Sequence, residues 1–285
     1  MNKNIRGLTL VSGAMFLVVM VLVVPLFYAI YISLHKYDFL IPGEFIWFEN
    51  YVQLFLNPEI LNSIIRTIIL SITSLVISMT LGLSLAMWVN TRRKLYAYII
   101  QILGLIPWVT SMVVGSLLWK WILNEDLGLL NFILKVIGLK SVNFFANATI
   151  AMATLIFVIT WRTIGYSMIM ILAGLKGIPQ ELMEAGVIDG ANKWQILRYL
   201  KLPLIKTPLL ISSIVIMMSN FNNVTVPMAL TGGGPAGATN VVSMELYTQG
   251  FIFYAFGIAA ALSFIVLLIN FIMITVYMRV AKYDT

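Results

Sequence analysis

Long apolar blocks alternate with short polar ones along the chain, near residues 9–33, 63–89, 97–119, 149–174, 204–229 and 255–278. Each is long enough to cross a hydrocarbon layer that needs about 20 helical residues. Lipid offers the backbone no hydrogen-bond partner, so a crossing segment must satisfy its own N–H and C=O groups, as a helix or in a closed barrel. A barrel would show short alternating segments, and these blocks do not alternate. The pattern predicts six membrane-spanning helices. The first block follows MNKNIRG, which has the basic start of a signal peptide. It runs on through VVMVLVVPLFYAIYISL without a small-x-small cleavage site, and so reads as a retained helix.

Composition sharpens this reading. The chain is 61% apolar and 10% charged over 285 residues, whereas about 25% of a soluble domain is charged. It holds no cysteine, which excludes a disulfide framework, a thiolate nucleophile and a thiolate metal site. The single histidine, His35, follows the first block and reads as an interfacial residue.

Positive charge sets the orientation. With a cytoplasmic amino terminus, the inner segments carry Lys3, Arg6, Arg92, Arg93, Lys94, Lys176, Lys193, Arg198, Lys201, Lys206, Arg279 and Lys282, and the outer ones only Lys36, Lys120, Lys135 and Lys140. The positive-inside rule then places both termini and the segment 175–203 in the cytoplasm. The net charge of +7 is spread over loops that need it for orientation and forms no aromatic-studded groove, which argues against nucleic acid as a partner. The outer loops carry Asp38, Glu44, Glu49, Glu59, Glu125, Asp126 and Glu245, which could touch an extracytoplasmic partner or simply reflect what topology tolerates.

The segment 178–203 is unlike its surroundings. Pro179 precedes a helix start with Glu181 and Glu184 in the first turns, where the helix dipole favours negative charge. Gly190 permits a turn, and Trp194, Leu197 and Leu200 then recur at helical spacing beside Lys193, Arg198 and Lys201. Two short helices broken at a glycine form either an interfacial hairpin that anchors two spans or a compact docking knob.

The stretch EAGVIDGANKWQILRYLKLP resembles the signature loop of bacterial ABC importer permeases: Glu-Ala-Ala, three residues, Gly, nine residues, Ile, one residue, Leu-Pro. Here Glu184-Ala185-Gly186, Gly190, Leu200, Leu202 and Pro203 stand at those spacings, with Gly186 for the second alanine and Leu200 for isoleucine. IPQEL before it, the internal DGA and a later LTGGGPAGAT are similar to the sugar-importing branch. The resemblance implies an all-α membrane protein, a six-helix type I ABC importer transmembrane domain. It makes residues 1–285 one permease domain with a cytoplasmic coupling loop at about 175–203. That loop would enter a cleft of an ATPase subunit, with Ala185 and Gly186 allowing close approach, Glu184 supplying a charged contact, Glu181 and Asp189 beside it, and Gly190 making the bend.

Polar groups inside the spans mark a candidate solute path. The fifth block contains MMSNFNNVTVPMAL, whose amides are either glue between helices or a lining for a polar solute. Asparagine both donates to and accepts from hydroxyl groups. NFNN is similar to the same stretch in the sugar-contacting subunit of the maltose-type family. That resemblance implies a lining of Ser219, Asn220 and Asn223, with Ile159, Arg162, Thr163 and Tyr166 in the fourth block. Arg162 departs from the family, which is apolar there. It could pair with a partner permease, snorkel to an interface, or hold a carboxylate, sulfonate or phosphate of the solute.

The chain does not read as the motor. GGGPAGAT has the glycine separation of a phosphate-binding loop but carries Ala238 in place of the lysine that would reach phosphate. It reads instead as an outer turn closing the fifth span. A secondary transporter is the competing class, but all eleven acidic residues fall outside the blocks, which leaves no intramembrane carboxylate relay. The resemblance implies no cofactor in this chain, with ATP and Mg on partner subunits. The implied partners are a second permease, two ATPase subunits, an extracytoplasmic solute-binding protein and a sugar, all at a bacterial cytoplasmic membrane. An acidic or phosphorylated sugar derivative is the alternative solute.

Overall fold

The computed structural model describes residues 12–39 and 41–282; Lys3 and Arg6, which contribute to the expected orientation, lie outside them. The chain runs α1 (Ser12–Ser33), a hairpin of β1 (His35–Asp38) and β2 (Ile41–Phe45), α2 (Glu49–Leu56), α3 (Pro58–Asn90), α4 (Lys94–Val109), α5 (Met112–Ile122), α6 (Leu129–Val136) and α7 (Ala148–Lys176). Then come α8 (Gln180–Ile188), α9 (Lys193–Leu204), α10 (Lys206–Phe221), α11 (Thr225–Leu230), α12 (Val242–Tyr247) and α13 (Phe256–Lys282). Among the described residues four helices are long and apolar enough to cross a membrane, and six spans result if each of two bent pairs counts as one.

The bent pairs depart from the expected straight spans. The third block is broken between α4 and α5 at an angle of 98°. Pro107 in the last turn of α4 has no N–H to continue the ladder, and Thr110 and Ser111 at the break are extended. The second bent pair is α9 and α10, at 70°; beyond it the fifth block is interrupted again, since α10 stops at Phe221 and α11 begins at Thr225, so Asn222 and Asn223 lie between helices rather than within one. The β hairpin and its antiparallel pairing were not expected from the apolar pattern.

Contacts divide the chain into two compact units, one of residues up to Leu61 with Glu245–Ile269, the other of Asn62–Met244 with the residues from Asn270. In the first, the Asn50 amide donates to the carbonyls of Ser33 (2.8 Å) and His35 (2.9 Å), tying α2 to the end of α1 and the start of the hairpin. Gly257 packs so closely on the His35 carbonyl and the Asn50 side chain that a Cβ there would meet both within 3 Å.

The second unit is organised around α7, whose first turn is capped by the Asn147 side chain accepting from the Thr149 and Ile150 amides. α3 carries a stripe of small polar residues, Ser63, Thr67, Ser71, Ser74 and Ser78, all fully buried, of which Ser78 meets α7 and Ser74 meets α10. Between helices in lipid there is little hydrophobic drive, and small residues let backbones approach until van der Waals packing and hydrogen bonds hold them. The Ser78 and Thr163 hydroxyls lie 2.6 Å apart, and Ser167 donates to the Ser78 carbonyl at 2.8 Å. Across α4, Gly165 sits against the Gly104 carbonyl, where a Cβ on Gly165 would overlap backbone. Apolar clusters fill the remainder, one with Ala86, Met168, Leu172 and Ile205, another with Leu70, Leu155, Ile159, Val226 and Leu230.

Candidate functional site

Two regions of the second unit carry the expected site residues. The charged knob folds from strong local signals. Its first helix, α8, ends in a Schellman motif: Gly190 is left-handed (φ +78°), the Ala191 amide donates to the Gly186 carbonyl (3.0 Å) and the Gly190 amide to the Val187 carbonyl (3.1 Å). The second helix opens with a capping box in which Asn192 accepts from the Trp194 and Gln195 amides, and the Gln195 side chain accepts from the Asn192 amide at 2.8 Å. A π-helical segment, Ile196–Lys201, precedes Pro203.

This geometry assigns the expected coupling residues unequally. Glu181, Glu184, Ala185, Asp189 and Gly190 are exposed, and the Glu184 carboxylate accepts from the Gln180 amide group at 2.8 Å. Gly186 points inward, its missing Cβ 2.6 Å from the Leu200 Cδ1. The close approach allowed by Gly186 is thus between the knob's own helices. Trp194, expected on an apolar face, is 65% exposed, and sequence reasoning missed Ile188 (84% exposed) and Tyr199 (68%), which extend an outward apolar patch beside these charges.

The second region is the polar seam at membrane depth. Asn220 is buried and its Nδ2 donates to the Ser74 hydroxyl at 2.8 Å. Asn223 is buried, its Oδ1 accepts from the Val226 amide (3.0 Å), and its carbonyl accepts from the Ser243 hydroxyl (2.9 Å). Thr163 faces Ser78, and Ile159 lies in the apolar core. Ser219 is half-buried and Asn222 exposed, the latter donating to the Met218 carbonyl at 2.8 Å. Tyr166 is half-buried and its ring stacks on Trp108, centroids 4.5 Å apart at 21°. Arg162, also half-buried, donates from Nη1 to the carbonyls of Thr110 (2.7 Å) and Pro107 (3.3 Å) and from Nη2 to that of Trp108 (3.0 Å).

Ser74, Ser78 and Trp108 were not singled out from the sequence. For the serines a signal existed, small residues recurring at spacings of three and four along α3. For Trp108 none did. The glycine-rich turn folds on itself: Gly232, Gly233 and Gly237 have φ of +63°, +83° and +74°, and the Thr239 hydroxyl lies 2.7 Å from both the Thr231 hydroxyl and the Gly234 carbonyl oxygen. The next helix begins only at Val242, so no helix N-terminus opens behind these glycines to receive a phosphate.

Apolar spans broken by polar hinges, with a folded signature knob, define a membrane transport subunit. Residues 78–282 match the binding-protein-dependent transport system inner membrane component, and the chain belongs to that family of transport permeases. It is 29% identical over 281 residues to the trehalose/maltose transport system permease protein MalF of Thermococcus litoralis, covering 97% of this chain and 94% of that protein. It is 26% identical to the sulfoquinovosyl glycerol transport system permease protein SmoG of Agrobacterium fabrum, covering 99% and 92%. The fold is similar to a chain of the bacterial alginate ABC transporter, whose crystal structure holds an alginate pentasaccharide-bound periplasmic protein: TM-score 0.85, 21% identity, 99% of this chain and 96% of that one. Family membership replaces the secondary-transporter reading.

Proposed function

We propose that this chain is a permease subunit of an ATP-driven importer of a sugar or oligosaccharide. It forms half of the solute path and couples that path to cytoplasmic ATPases. One observation carries the coupling role: the 180–204 knob is fixed at its turn by a Schellman motif, a capping box and the Gly186–Leu200 contact, yet it leaves Glu184, Ile188, Trp194 and Tyr199 facing outward. A connector needs no such rigidity, whereas a docking element does. Hydrolysis of ATP with Mg belongs to two partner ATPases. A second permease completes the path, a solute-binding protein delivers the sugar from outside, and both termini lie in the cytoplasm.

The names of the relatives support a sugar. Within the chain, the stacked Tyr166 and Trp108 offer ring faces of the kind that pack on a pyranose. Ser219 and the hinge amides Asn222 and Asn223 offer the hydrogen-bonding groups of that sugar lining. Ile159, Thr163 and Asn220 hold that wall from behind in this conformation, since their side chains are already packed or bonded within the unit. The test is uptake into vesicles by the transporter purified from its native membrane through a tag on this chain. ATP-dependent accumulation of trehalose, maltose or a longer neutral sugar supports the reading. Accumulation without ATP, or of no sugar at all, contradicts it.

A further inference from the structure

The last four carbonyls of a helix have no partner within it. In α4 the Ile106 carbonyl is taken by the Thr110 amide at 3.0 Å, and those of Pro107 and Trp108, with that of Thr110 just beyond, turn to the break. A water-exposed helix would hydrate them, but at membrane depth the protein must supply the donors. A guanidinium carries five donors in a rigid plane and no acceptor, which suits a cluster of carbonyls better than any other side chain. Arg162 reaches three of them, from 2.7 to 3.3 Å. Its charge also faces the C-terminal end of α4, the negative pole of that helix. One turn along α7, Tyr166 stacks on the ring of Trp108, the residue whose carbonyl Arg162 holds. The guanidinium carbon lies 5.8 Å from the same ring.

We infer that Arg162 is the latch of the broken third span: a positioning residue that pins the α4–α5 break, and Trp108 with it, against α7, and does not read solute charge. Both terminal nitrogens already donate to backbone, so an acidic sugar would have to compete with three carbonyls for the same guanidinium. The aromatic platform proposed above depends on the latch, so loss of Arg162 loosens it for neutral and acidic sugars alike. Only this solute arm rests on the sugar reading.

The test compares wild type, Arg162→Gln and Arg162→Lys in the purified, nanodisc-embedded transporter. Without any solute, hydrogen exchange of amides 108–115 is expected to rise about tenfold in Arg162→Gln while α3 is unchanged, because local opening is set by the bonds that hold the segment. Arg162→Lys, whose single ammonium does not span the carbonyls, is expected to fall between, and it carries the test alone if the glutamine variant does not assemble. Wild-type exchange at 108–115 in every assembled variant overturns the latch. In the second arm, uptake of a neutral sugar and of its carboxylated counterpart falls by the same factor. A loss confined to the acidic sugar, with exchange unchanged, makes Arg162 a solute contact and overturns the inference. If wild type takes up neither sugar, the sugar reading fails and the exchange arm still decides the latch.

Discussion

Gly186 and Leu200 meet across the turn of the charged knob, and a Cβ on Gly186 would come within 2.6 Å of the Leu200 Cδ1. The obstacle is the far end of a flexible side chain, so it yields to a methyl group but not to a branched side chain. Residue 186 therefore sets how α8 lies on α9, and through that the direction in which Glu184, Ala185 and Ile188 face outward.

Gly186→Ala is expected to assemble and transport nearly as wild type, whereas Gly186→Val overpacks the turn at about 1–3 kcal/mol and tilts the docking face. The measurement is recovery of ATPase subunits with the tagged permease at equal permease abundance. Equal recovery for both variants contradicts an internal packing role.

A pair of glycines separates rigid from yielding contacts. A Cβ on Gly165 overlaps the Gly104 carbonyl, which is backbone, while a Cβ on Gly104 meets chiefly the terminal methyl of Met168 at 2.8 Å. Gly165→Ala is expected to lose most folded protein in size-exclusion profiles of detergent extracts, at the upper end of about 1–3 kcal/mol or beyond. Gly104→Ala is expected to be milder. The reverse order contradicts the crossing geometry.

Asn220 and Tyr166 should respond differently to alanine. Asn220→Ala removes the bond to Ser74, and interhelical bonds in membranes average about 0.6 kcal/mol with a maximum near 1.7. It is expected to lower thermal stability by that order, with Ser74→Ala equivalent and the double variant no worse than either. Tyr166→Ala is expected to leave assembly intact and reduce sugar uptake. Additive stability losses in the double variant contradict the Asn220–Ser74 bond.

The positions of the apolar blocks and the glycine turn at 190 were legible because each rests on local chemistry: a long run of apolar residues, and a left-handed residue where only glycine is unstrained. The breaks were not. Apolar residues resume directly after Thr110 and Ser111, so composition alone does not distinguish one straight helix from two at 98°, although Pro107 was a visible warning. The Asn222–Asn223 hinge reads in sequence as a polar patch on a helix, and its role as a helix stop depends on Val226 and Ser243. Arg162 was conspicuous as an intramembrane charge, but its partners are carbonyls more than fifty positions earlier, which no spacing along α7 reveals. The serine stripe of α3 had a periodic signal that the apolar pattern masked.

Docking of the knob onto an ATPase is tested most directly by site-specific cross-linking, because this chain has no native cysteine and the cysteine-free parent reports any adduct through partner thiols. Ile188→Cys, at a position 84% exposed on the knob, is compared with Leu127→Cys, 80% exposed in the loop expected on the outer side. Transport-competent membranes are treated with a short bifunctional thiol–amine reagent. The expected result is a covalent adduct between residue 188 and an ATPase subunit, and none from residue 127. No adduct from 188 in a complex that still transports, or equal adducts from both positions, would contradict the coupling role of the knob.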